Sequence, residues 1–99
     1  MTITVGEVWT FKLTSGEEVV GRVTAVDDHI VSLQDPVSVA PGPQGMGLMQ
    51  SMFTADPAAP ARLNINNVTI FAVTDEKVRA KYIEATTGLV VPDKSIIMG

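Results

Sequence analysis

Few side chains in this 99-residue chain could do chemistry. There is one histidine, His29, and no cysteine. That excludes a disulfide framework and a thiolate zinc site, and it nearly excludes a histidine-based metal site. Ser, His and Asp all occur, but a single His without an oxyanion loop makes nothing like a triad. No phosphate-cradling loop, dinucleotide fingerprint or metal-spaced His/Glu set is present. The sequence therefore predicts no enzyme, no cofactor and no metal.

The polar groups that remain are modest. Asp27, Asp28 and Asp35 form an acidic cluster around His29. A Ca²⁺ site needs six or more suitably spaced oxygens, so the plainer reading is a solvated turn with a capping Asp. Asn66 and Asn67 offer adjacent amides, and their ordinary use is a turn, where Asn tolerates positive φ. Lys77 and Lys81 share a helix face at i, i+4, the usual solvated side.

The formal charge is −4 and the isoelectric point is about 4.7. This speaks against a protein that coats nucleic acid by charge alone, although a local basic site on an acidic body is compatible with it. Hydrophobic residues make up 45% of the chain and aromatic residues only 5%. The core must then be mostly aliphatic, and disorder of the whole chain is excluded. No apolar run approaches the ~18 residues of a membrane span, and the first residues lack the pattern of a signal peptide. A cytoplasmic location is expected, and no membrane partner.

The chain reads as one domain, 1–99, in five stretches. Residues 1–39 hold three strands. Trp9, Phe11 and Leu13 alternate with Val8, Thr10 and Lys12, the period-two signature of a strand. Gly16 lies in a turn cluster, and Gly21 inside the second strand marks a bend or a close backbone approach. Pro36 has no N–H, so the third strand must carry an edge or a bulge there. Residues 40–61 form a Pro/Gly/Met-rich insertion, too long for an ordinary hairpin loop and too apolar for a solvated linker. Residues 62–73 return to two strands, the second of which, VTIFAV, is expected to be buried on both faces. Residues 74–88 read as a helix with Thr74 or Asp75 as N-cap, an apolar stripe of Val78, Tyr82 and Ala85, and Gly88 at the C-terminal cap. Residues 89–99 form an apolar tail.

Residues 8–35 carry a further pattern: Leu13-Thr-Ser-Gly16, then Val19-Val20-Gly21-Arg22-Val23, then Val26-Asp27-Asp28-His29-Ile30-Val31 and Leu33. This resembles the first motif of Sm-like proteins, the strongly bent barrels that assemble into rings. Leu63-Asn64-Ile65-Asn66-Asn67-Val68 stands where the family has its second motif, with Asn66-Asn67 in place of Arg-Gly. The family's helix normally precedes the strands; here it follows them. A looser similarity, in SGEEVVGRV, GMGLMQSMF and TTGLVVP, is to small proteins of tailed phages of marine cyanobacteria. In a phage setting the expected location becomes the host cytoplasm.

The resemblance implies a mainly β fold: a five-stranded, strongly bent Sm-like small barrel with a C-terminal helix. It implies a homo-oligomeric ring in which the strand carrying Leu63 and Ile65 pairs with the strand carrying Val68, Ile70 and Phe71 of the next subunit. It also implies single-stranded RNA as a partner, at Asp27, His29, Val31, Asn66 and Asn67. His29 occupies the family's base-stacking position, Val31 replaces the base-binding amide, and Asn66 is the better amide candidate. The alternative is a protein-interaction scaffold without nucleic-acid binding. Met46, Met49, Met52 and Phe53 are either extra core or a contact surface for a protein partner, since Met repacks against varied surfaces.

Overall fold

The computed structural model describes residues 2–87. Gly88 and the 89–99 tail lie outside the described residues, so the C-terminal cap and the docking of the tail lie outside them too.

Six strands and one helix follow in order: β1 (Val8–Leu13), β2 (Glu18–Val26), β3 (Ile30–Gly42), β4 (Gly45–Gln50), β5 (Ala61–Asn64), β6 (Val68–Val73) and α1 (Glu76–Thr87). All pairings are antiparallel, and the sheet runs β4-β3-β2-β1-β6 with β5 also paired to β3. The mainly β reading with a C-terminal helix is correct. The strand count is not: residues 45–50, read as insertion, form a sixth strand. β3 continues to Gly42 and β4 returns along it, from Val37↔Gln50 to Gly42↔Gly45. Gly45 makes this return at φ 106°, a conformation that only Gly adopts freely. Among the described residues no pairing joins β6 to β4 or β5, so the sheet is not closed into a barrel.

β4 and β5 lie end to end along the same edge of β3. β5 pairs with Ile30–Leu33 and β4 with Val37–Gly42. Residues 51–60 loop out between them. The strand expected over residues 62–66 ends at Asn64, because Ile65–Asn67 tighten into a 3₁₀ turn capped by the Asn64 side chain.

Two apolar layers sit on opposite faces of the sheet. Ile3, Trp9, Phe11, Val19, Val23, Val31 and Leu33 form the inner layer, with Leu13, Leu63, Ile65, Val68 and Phe71 packed around it. Val8, Val20, Val37 and Tyr82 form the outer layer, joined by Val39, Leu48, Val78 and Ile83. α1 covers this second face. The alternation expected for Trp9 and Phe11 is thus correct, and Val8 serves the other face.

β3 contributes to both layers through residues of the same parity. Leu33 opposite Val23 belongs to the inner layer, and Val37 opposite Val20 belongs to the outer. Between Gln34↔Arg22 and Val37↔Val20, β3 advances by one residue more than β2. This is a β-bulge, and the extra residue exchanges the faces of everything after it. Asp35 sits there at φ 52°, the one non-glycine residue described with positive φ. Pro36 is accommodated because the ladder is already broken, as its missing N–H requires.

Gly21 lies across from the bulge. A Cβ there would stand 3.1 Å from Leu33 Cβ, tighter than ordinary van der Waals contact. The close approach expected from the sequence is real. Gly21→Val should cost ~1–3 kcal/mol through overpacking. A urea midpoint that does not fall would contradict this.

β6 departs from expectation. Among the described residues it is an edge strand paired with β1 alone, and Ile70 and Val73 are 61% and 65% exposed. Its inner face packs through Val68 and Phe71, and its other side chains meet solvent. In α1, Tyr82 is buried and Val78 half-buried, but Ala85 is exposed, and Ile83 and Thr86 take its place. Asp75 is the N-cap: its carboxylate accepts from the Lys77 and Val78 N–H groups at 3.0 and 3.3 Å.

Candidate nucleic-acid interface

Two turns meet at one end of the sheet. The first, between β2 and β3, is built by Asp27. Its Oδ1 accepts from the N–H groups of His29 and Ile30, both at 2.8 Å. These bonds hold its carboxyl below the usual carboxylate range, with smaller help from the charges of His29 and Arg62. The turn therefore keeps its cap at neutral pH and loses it as pH falls through that lowered value. The second turn is the 3₁₀ segment Ile65–Asn67, where Asn64 Oδ1 accepts from the Asn66 N–H at 2.9 Å.

The backbone locks these turns together. The Ile65 N–H donates to the His29 carbonyl at 2.9 Å; the other side of the 3₁₀ turn is tied to the β1–β2 turn, where the Thr14 N–H donates to the Asn67 carbonyl at 2.8 Å. Ile30 pairs with Asn64 and Ser32 with Arg62 across β3 and β5. His29 and Ile65, 36 positions apart in sequence, are thus fixed side by side. His29, Arg62, Asn64, Asn66 and Asn67 are all exposed on this rim.

Two of the sequence-predicted residues are already engaged in the fold. Val31 is fully buried in the inner layer, so its side chain is out of reach of a ligand. Asp27 is spent on its own turn. His29, Asn66 and Asn67 come together and remain exposed. Arg62 enters the site through the β3–β5 pairing and sets a guanidinium beside an acidic turn. Its proximity could have been read from the sequence only by knowing the register of that pairing.

The predicted interface residues divide differently. Leu63, Ile65, Val68 and Phe71 are half-buried against the chain's own inner layer, and the Phe71 ring stands 6.1 Å from that of Trp9. Only Ile70 of that set is largely exposed. Met46, Met49, Met52 and Phe53 are 65%, 48%, 49% and 71% exposed, so they are surface and not core in this chain.

Tyr82 matters in a way its place in an apolar stripe does not reveal. Its hydroxyl donates to the Gln34 carbonyl at 2.6 Å and accepts from the Arg22 N–H at 3.1 Å. The phenol bridges β2 and β3 beside the bulge. Burial pushes its pKa up.

Among the described residues, no group of three or more His, Asp or Glu side chains could hold a metal ion, and no helix is long and apolar enough to cross a membrane. Comparison of the sequence with known protein families and with curated proteins finds no match to either.

Proposed function

We propose that this chain is a divergent Sm-like module that assembles head to tail into a homo-oligomeric ring. On the rim formed by the β2–β3 and β5–β6 turns it presents a weak site for single-stranded RNA. The observation that carries the reading is the pair of open strand edges. Among the described residues, β6 on one side and the outer edge beyond β3 on the other have no strand paired along them. Exposed edges of this kind are normally blunted by charge, and β6 carries none. A heterologous contact between unlike edges satisfies both and, repeated, closes into a ring or grows without end.

RNA binding is supported by the rim itself. Adjoining turns that expose an imidazole, a guanidinium and two amides suit an unstacked base and its phosphate. The site is poor, because Val31 offers nothing to a base and Asp28 adds negative potential. Binding is expected to be weak, sensitive to salt and nearly indifferent to base identity, since stacking tolerates every base. Base stacking contributes ~1–3 kcal/mol, so His29→Ala should weaken binding about 5- to 150-fold. Filter binding with U-rich and A-rich oligonucleotides across a salt series measures this. Tight, sequence-selective binding that survives His29→Ala would contradict it.

The burial of Val31 and the capping role of Asp27 favour a second reading, a ring that serves as a protein scaffold. An assembled protein that retains no oligonucleotide at low salt would establish that reading over the first.

A further inference from the structure

Given the assembly just proposed, the structure also points to which edges meet. We infer that the β4 edge of one copy receives the β6 edge of the next, and that β5 stays outside the contact. The sequence pattern had pointed to the strand carrying Leu63 and Ile65 instead.

Three observations separate β4 from β5 along the same side of β3. β4 spans Gly45–Gln50 and β6 spans Val68–Val73, six residues each, whereas β5 has four. β4 lies within a run, Pro36 to Ala55, that carries no charged residue at all, and β6 is uncharged throughout. β5 carries the exposed Arg62 and follows Pro60, two of the devices that blunt an edge. Finally, exposed apolar side chains flank both long edges: Met46 and Met49 on β4, Ile70 and Val73 on β6. The β5 side chains that could contribute, Leu63 above all, are already packed against the inner layer.

The occupant of the β4 edge is therefore a second copy of this chain. A β4–β4 contact would leave every β6 edge open, and a β6–β6 contact every β4 edge. Only the unlike pairing satisfies both ends with one kind of contact. This arrangement also leaves Arg62, Asn64 and the His29 turn uncovered.

A complementation experiment tests the inference. One variant carries Met46→Lys with Met49→Lys, which charges β4 and leaves β6 intact. The other carries Ile70→Lys with Val73→Lys, which charges β6 and leaves β4 intact. All four positions are exposed, and far-UV circular dichroism checks that each variant keeps its β signal. Each variant alone should run as a monomer by light scattering. An equimolar mixture should give a dimer and nothing larger, because one good contact remains per pair. Arg62→Glu should leave the wild-type mass unchanged. A β4 variant that still assembles fully, or an Arg62→Glu variant that falls apart, would overturn the β4 assignment while leaving self-assembly intact. A wild-type protein that is itself monomeric would overturn the assembly reading on which the inference rests.

Discussion

Tyr82→Ala is expected to destabilise the folded chain by ~3–5 kcal/mol, the cost of truncating a fully buried aromatic side chain. Tyr82 is 1% exposed and is the sole α1 residue buried in the outer layer, so the helix should lose its hold on the sheet. Tyr82→Phe separates packing from hydrogen bonding. The ring stays, but the Arg22 N–H and the Gln34 carbonyl lose the hydroxyl that bridges them. Leaving such groups unpaired costs ~1–3 kcal/mol. The pH dependence carries a sign. Burial raises the phenol pKa in the fold, so its stabilisation is complete below the unfolded value of about 10 and is lost as pH rises through the raised folded value. Urea denaturation of wild type should therefore show falling stability in that alkaline range, with a shallower fall in Tyr82→Phe. An unchanged midpoint in Tyr82→Phe would remove the bridge from this account.

Deletion of Asp35 should have a comparably large effect for a different reason. Asp35 is the extra residue of the β3 bulge, and without it the strand returns to strict alternation. Val37, Val39 and Leu48 would then turn away from the face covered by α1. Burying an aliphatic side chain contributes ~1.5–3 kcal/mol, so losing Val37 and its half-buried neighbours should cost about 3 kcal/mol or more. Asp35→Gly keeps the extra residue and suits φ 52°, so it should be neutral or stabilising. Burial also raises the Asp35 carboxyl pKa. Wild-type stability should therefore fall slightly as pH rises from the ordinary carboxylate range through that raised value and stay lower above it, and Asp35→Gly should lack this step. If thermal unfolding finds the deletion as stable as wild type, the parity exchange is not what positions the outer layer.

The contrast between these two residues shows what the sequence could disclose. Pro36 announced the bulge through its missing N–H, and Gly21 announced the close approach across from it. Both are local constraints that any chain must obey. Tyr82 lies 48 residues from Gln34, and nothing local says that its hydroxyl will fill a broken ladder. The same limit applies to β4. Gly, Met and Gln have weak strand preference, so GMGLMQ reads as a loop until the long β3 is there to pair with it. β6 reads as a buried central strand because VTIFAV is apolar on both faces. Its edge position leaves Ile70 and Val73 exposed among the described residues, and that depends on which strands pair, which no local pattern reveals. At the rim, His29 and Asn66-Asn67 were legible as turns, but Arg62 joined them only through the β3–β5 register.

The central claim is self-association through open, uncharged strand edges. Light scattering coupled to size exclusion at micromolar concentration tests it most directly. The expected result is a single closed assembly of about five to seven subunits, the ring size that the Sm-like resemblance implies for a head-to-tail contact. A stable species at the 10.5 kDa mass of one chain would contradict it.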